Sequence, residues 1–229
     1  MAATCDILDT DGFEIIPNVL SESTVANVIH STETIPSKPG LRNLTSAMPG
    51  IEAVIRQPSV QSLAKLILGP NAFLVRSILF DKTLGSNWKV AWHQDLTIAV
   101  RERKEVPGFT AWSTKENILH VQSPVELLAR MVALRLHLDE CGQDNGPLHV
   151  IPNSHRSGRL SAAQIQEWRQ KNNAVVCTVP QGGALTMRPL LLHASSPAIV
   201  PRHRRVIHLE FAAESLPGAL EWFSPQRLN

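Results

Sequence analysis

The sequence predicts a mainly β fold, an antiparallel sandwich or barrel with helices packed on one of its sheets. Three observations carry this. Helical apolar spacing occupies the first part of the chain and gives way to short β-branched runs after Pro70. Helices and strands do not alternate, and no G-x-G-x-x-G follows a strand, which argues against a doubly wound α/β fold. Two of the runs, 131–139 and 204–212, alternate between an apolar face and a face bearing Arg, His and acids. A plain sandwich strand would show only small polar groups outward.

In order along the chain, "DGFEIIPNVL" (11–20) reads as a short opening strand. "SESTVANVIHSTE" (21–33) follows as a helix, with Ser21 as N-cap and Val25, Val28 and Ile29 on one face. Residues 36–50, rich in Pro, Gly and Ser, read as loop. "PSVQSLAKLILG" (58–69) is framed as a helix by Pro at its start and Gly at its end. Strands are expected at 73–82, 89–100, 131–139, 147–151, 174–179, 183–188, 190–194 and 204–212, with helical segments at 123–130 and 161–171. Asn145-Gly146 is a turn signal between two strands. Asn153 suits a left-handed turn position, and His155 beside it reads as structural.

In "MVALRLHLD" (131–139), Val132, Leu134, Leu136 and Leu138 share one face, and Arg135, His137 and Asp139 the other. In "RRVIHLEF" (204–211), Arg205, Ile207, Leu209 and Phe211 oppose Arg204, His208 and Glu210. The apolar faces are expected to meet the helices while the polar faces line a cavity.

At 229 residues and 43% hydrophobic, the chain supports one domain over 1–229, with a β core at about 73–212. A net charge of +2 does not suggest a nucleic-acid binder. Cys5, Cys141 and Cys177 are few, odd in number and far apart, which fits a reducing compartment rather than a disulfide framework or zinc finger. The acidic N-terminus lacks a signal-peptide pattern, and no apolar run is long enough to span a membrane. A soluble cytoplasmic protein acting on a small molecule, without nucleic-acid or membrane partners, is the expectation.

The chemistry starts in "NWKVAWHQDLTIAV" (87–100). Read as one strand, it points His93 and Asp95 to the same side. With nine histidines and twenty acids, chance alone supplies about one His-x-acid pair, and His208-x-Glu210 is another. Two histidines with one carboxylate form the facial triad of non-haem iron(II) oxygenases, which leaves positions open for a bidentate cosubstrate and O2. His193, at the end of the apolar run in "MRPLLLHASSPA", is the candidate third ligand. Arg204 follows eleven residues later, which predicts that a strand, a turn and a returning strand make them neighbours. An arginine in such a cavity needs a carboxylate partner, and a dicarboxylate cosubstrate supplies one. Arg205 falls on the apolar face, and Arg202 shares the phase of Arg204.

"WHQD" (92–95), "NGPLHVIPNSHRSGRL" (145–160), "MRPLLLHASS" and "RRVIHLEF", with "DGFEIIPNVL" and "ILFDK" (78–82), resemble the phytanoyl-CoA dioxygenase family of iron(II)/2-oxoglutarate oxygenases. The likeness runs from about residue 11 to about residue 212. It implies a double-stranded β-helix, a cupin-like jelly-roll core with N-terminal helices on one sheet. It implies Fe(II) at His93, Asp95 and His193, and 2-oxoglutarate held by Arg204 and Ser195. The implied reaction is a dioxygenase oxidation using O2, most simply hydroxylation, with succinate and CO2 as co-products. Arg135 stands where the founding enzymes have tryptophan, and the stretch 96–130 is longer than theirs. Both changes fall where the primary substrate would sit, so Arg135, His137, Trp112, Lys115 and His120 are candidate substrate residues. The alternatives are a cupin-like metal enzyme that does not use 2-oxoglutarate, and a non-catalytic binding or sensor protein of the same fold.

Overall fold

The computed structural model describes the backbone of residues 2–5 and all atoms of residues 6–33, 35, 40–48 and 50–228. The side chain of Cys5, and residues 36–39 and 49 of the expected loop, lie outside the described residues. The N-terminal part runs α1 (Ala2–Thr10), β1 (Phe13–Ile16), α2 (Glu22–Thr32), β2 (Leu41–Arg42), α3 (Leu44–Ala47), α4 (Ile51–Ile55) and α5 (Pro58–Leu68). Ser21 caps α2 by accepting from the Thr24 N–H, and Pro58 and Gly69 bracket α5, as the sequence predicts. The helices α1, α3 and α4 are additions to the sequence reading.

The rest of the chain supplies β3 (Phe73–Lys82), β4 (Val90–His93), β5 (Thr97–Val100), β6 (Thr110–Lys115), β7 (Ile118–Gln122), α6 (Val125–Ala129), β8 (Val132–His137), β9 (Leu148–Val150), α7 (Ala162–Lys171), β10 (Val175–Cys177), β11 (Ala184–Met187), β12 (His193–Ser195), β13 (Arg204–Ala212) and β14 (Gln226–Arg227). The large sheet has the order β1-β11-β8-β13-β3-β14, with β2 also on β3. The small sheet has the order β10-β9-β12-β4, and β5-β7-β6 form a third. The pairings within all three are antiparallel. This is the jelly-roll arrangement: two sheets face one another and helices cover the outer face of the larger.

Side-chain alternation explains which face meets what. Leu134, Leu136, Ile207, Leu209 and Phe211 pack with Val25, Val28, Val54 and Val60 from the helices. The opposite phase of the same strands turns inward, between the sheets. There Leu148, Val150, Leu185 and Met187 close one end apolarly, and charged groups fill the other. β3 changes phase on the way: a bulge opposite Glu210/Phe211 lets Leu74 join the helix-facing core while Arg76, Ile78, Phe80 and Lys82 turn inward. His208 and Glu210, also inward, are almost fully buried; these polar faces are interior, not solvated.

Two expectations need correction. Asp139 does not continue the polar face of β8. The strand ends at His137, and Asp139 turns to grip Arg205, with contacts of 2.7 and 2.9 Å. Arg204 and His193 are not on neighbouring strands either. β12 pairs with β9 and β4, whereas β13 pairs with β8 and β3. The segment between them crosses from one sheet to the other, so the two residues face each other across the sandwich.

Candidate metal centre and anion pocket

The small sheet brings two histidines together. His193 opens β12 and lies opposite His93, the last residue of β4, in the antiparallel register. Their ring centroids are 4.2 Å apart. Asp95 arrives by a route that differs from the sequence reading. The expected strand 89–100 breaks after His93 and resumes at Thr97 in the third sheet, so His93 and Asp95 do not share a strand face.

The buried Gln94 holds the break. Its amide donates to the carbonyls of Gly158 and Leu190 at 2.8 and 2.7 Å, and its oxygen accepts from the Leu160 N–H at 2.8 Å. The Asp95 N–H donates to the Pro189 carbonyl at 2.9 Å. The resulting turn aims the Asp95 carboxylate back at both rings, with each Nε2 3.7 Å from one of its oxygens. All three donor atoms lie within 4.8 Å of one another.

The protonation pattern suits a metal. His93 Nδ1 lies 2.8 Å from the Ala91 carbonyl, and His193 Nδ1 lies 2.8 Å from that of Leu191. Donating to a carbonyl places the proton on Nδ1, which leaves each Nε2 lone pair facing the carboxylate. Burial pushes His193 down to about 4, so its ring is neutral at ordinary pH. Burial works to raise the Asp95 carboxyl, but His193, His208, His93 and Arg76 outweigh it and hold the group well below the usual carboxylate range. Two imidazoles and one carboxylate beside an open space fit iron(II).

A second cluster, Asp95 with His208 and Glu210, has similar spacing. Its atoms are already engaged. His208 Nε2 donates to Glu210 at 2.9 Å, Arg76 pairs with Glu210 at 2.5 Å, and Arg135 donates to His208 Nδ1 at 3.1 Å. This is a closed chain of charged hydrogen bonds along the wall.

At the far end, Lys82 and Arg204 are cross-strand partners on the large sheet. Lys82 Nζ donates to Ser195 Oγ at 2.7 Å and to the Ser196 carbonyl at 2.6 Å. Arg204 Nη1 and Ser195 Oγ both donate to the Gly146 carbonyl. Gly146 has φ +64, and a Cβ there would come within 2.8 Å of the Ser196 oxygen, so this turn position requires glycine. Among the described residues no carboxylate is ion-paired with Lys82, Arg204 or Arg135, all of them buried, and the Nε atoms of both arginines lack partners. Burial, with Arg204 next, pushes Lys82 down to about 8. Unpaired buried cations are costly, so the pocket is built for an anion.

Ile78, Phe80, Val90 and Leu148 complete a cleft with a cavity volume of about 160 Å³ that runs from the triad to Arg204. Arg135 lines it. His137 does not, although it is buried, and burial together with Arg135 and Arg204 keeps its ring neutral. Trp112, Lys115 and His120 are not lining residues. They belong to the hairpin β6-β7, where Trp112 packs on the apolar cluster around Phe109 and Leu127; burial, with Arg76 adding to it, lowers Lys115 and His120, and the charges of Asp95 and Glu210 also reach Lys115. Arg205 is held by Asp139 on the helix side, and Arg202 by the surface Asp144. The residue the sequence reading missed is Gln94. For Lys82 the sequence leaves open whether it faces the cavity or caps a strand end; it is in step with Ile78 and Phe80 on one strand face and reaches Ser195.

Residues 8–206 match the family model described as phytanoyl-CoA dioxygenase (PhyH). An ectoine dioxygenase from Bordetella bronchiseptica is 24% identical over 65% of this chain, and the match spans 47% of that protein, so the chain covers about half the length of this curated relative. The apo crystal structure of EctD from S. alaskensis superposes with a TM-score of 0.72 at 19% identity, over 99% of this chain and 81% of that one. The carbocyclase SnoK from nogalamycin biosynthesis, described as non-heme and alpha-ketoglutarate dependent, superposes with a TM-score of 0.71 at 13% identity, over 92% and 83%.

Proposed function

The chain belongs to the phytanoyl-CoA dioxygenase family, and from that premise we propose that it is an iron(II)- and 2-oxoglutarate-dependent dioxygenase that hydroxylates an unactivated C–H bond of a small molecule. One observation carries the reading: three convergent metal donors stand in the same cleft as buried cations that lack a counter-ion. His93, Asp95 and His193 would hold iron(II). Arg204 and Lys82, with Ser195, would hold the far carboxylate of 2-oxoglutarate. Bound there, iron(II) and 2-oxoglutarate supply the means to activate O2, with succinate and CO2 as co-products.

The protein's own contribution is placement and exclusion of water. The backbone carbonyls of Ala91 and Leu191 fix the orientation of the two imidazoles. Gln94 fixes the turn that brings Asp95 to them. The apolar wall of Ile78, Phe80, Val90 and Leu148 keeps the reacting region dry. Relatives named for ectoine and for nogalamycin biosynthesis support a small-molecule substrate.

Anaerobic reconstitution tests this. Iron(II) and 2-oxoglutarate together should produce the visible charge-transfer band of a chelated keto acid, and O2 should then release succinate. Asp95→Ala should abolish both. Metal binding with no band and no succinate would remove the cosubstrate from the scheme.

A further inference from the structure

Arg135 is the cation that the proposed cofactors leave over. Arg76 is neutralised by Glu210. That leaves Lys82, Arg135 and Arg204 against the single carboxylate of Asp95. Iron(II) and the 2-oxoglutarate dianion cancel one another, so the loaded site keeps an excess of two positive charges. The cosubstrate's carboxylates already have cations, the metal for one and Arg204 with Lys82 for the other. Arg135 has none.

Its place in the strand register is on the metal side of Arg204, although the charges of Arg204 and Lys82 still reach it. Arg135 lies opposite His208 in the β8-β13 register, and His208 is grouped with the ligand Asp95. Arg204 is four residues further along β13, about 13 Å of strand. The guanidinium is also oriented. Its Nη1 is committed to His208, and its face lies over Phe80 with 5.4 Å to the ring centroid. Its Nε has no partner, although the residue is only 7% exposed. The edge formed by Nε and Nη2 therefore remains, and that edge matches a carboxylate bidentately. Around it stand Ile78, Phe80, Val90 and Leu148.

We propose that the primary substrate is a small organic carboxylate, its charged end on Arg135 and its aliphatic body against this apolar wall, which presents a C–H bond to the metal. The proposal rests on the iron(II)/2-oxoglutarate reading, and loading the protein first keeps the two separable. The probes are 4-methylpentanoate, 4-methylpentanamide and 3-methylbutylamine, titrated by calorimetry into protein loaded anaerobically with iron(II) and 2-oxoglutarate. The carboxylate should bind at least about tenfold more tightly than the amide, and the amine should not bind. Arg135→Gln should equalise carboxylate and amide while the Kd for 2-oxoglutarate, followed by the charge-transfer band, changes less than about threefold.

Failure of the band to form in wild-type protein would sink the oxygenase reading, and this proposal with it. A normal band with no preference for the carboxylate overturns the proposal alone, and that comparison needs no variant to fold. A tenfold loss of 2-oxoglutarate affinity in Arg135→Gln, with the carboxylate preference kept, would instead assign Arg135 to the cosubstrate.

Discussion

Lys82 is fully buried, holds two oxygen acceptors and, among the described residues, has no acid ion-paired with it. Burial and the neighbouring Arg204 lower its amine from 10.5 to about 8. Between those values the unfolded chain carries the proton and the folded chain does not. Unfolding then takes up a proton, so the stability of the ligand-free protein rises with pH from about 8 to about 10.5. Comparing the thermal unfolding of wild type and Lys82→Met across this range removes the contribution of other titrating groups. The difference should move in favour of wild type as pH rises, and saturating 2-oxoglutarate should flatten it by restoring a counter-charge. A pH-independent difference without ligand would mean that the amine is not depressed.

Gln94 shows how an element boundary becomes a site. Its side chain ties the break between β4 and β5 to the segments at 158–160 and 190, one of which leads directly into His193. Gln94→Leu keeps the bulk but leaves two carbonyls and an N–H unsatisfied in the interior. Iron(II) affinity should fall about 10–100-fold, as it does when groups that orient metal ligands are lost, with far-UV circular dichroism unchanged. Gln94→Glu, which retains the acceptor for Leu160, should fall between; an unchanged metal titration in the leucine variant would show that the turn holds without the clamp. The same boundary shows where sequence reading stopped. The His93-x-Asp95 pair, His193 and Arg204 could be picked out because ligand chemistry is local, and Ser195 only through the family resemblance; strand phase did not give the geometry that brings Asp95 and Arg204 to the site. The alternating faces of β8 and β13 correctly foretold a helix-facing core and a polar interior. The break after His93 was not legible, because apolar residues continue on both sides of it and only tertiary hydrogen bonds reveal it. The β6-β7 hairpin was missed because its turn, Glu116-Asn117 with positive φ at both residues, carries no glycine. The crossing from β12 to β13 was read as a return because chain separation alone does not say which sheet a strand joins.

The site as a whole is divided between the two sheets. His93, His193 and Ser195 belong to the small sheet, whereas Lys82, Arg204, Arg135 and His208 belong to the large one. In the ligand-free molecule the cations of this cleft, Lys82, Arg135 and Arg204, all lie on the large sheet, while the apolar cluster around Leu148 and Met187 holds the other end of the sandwich. A dianion bound to the metal and to Arg204 would span the gap and tie the two sheets together. The bound state should therefore be stabilised as a unit rather than locally. At a ligand concentration of a hundred times Kd, the gain is about 2.7 kcal/mol. For a chain of this length that corresponds to a rise in Tm of roughly 5–10 °C. Arg204→Ala should lose most of the increment due to 2-oxoglutarate while keeping that due to iron(II), because His93 and His193 sit on the other sheet and Asp95 in the turn that follows β4. Scanning calorimetry with each ligand added in turn separates the two. Equal loss of both increments would mean that Arg204 supports the fold at the cleft rather than the anion within it.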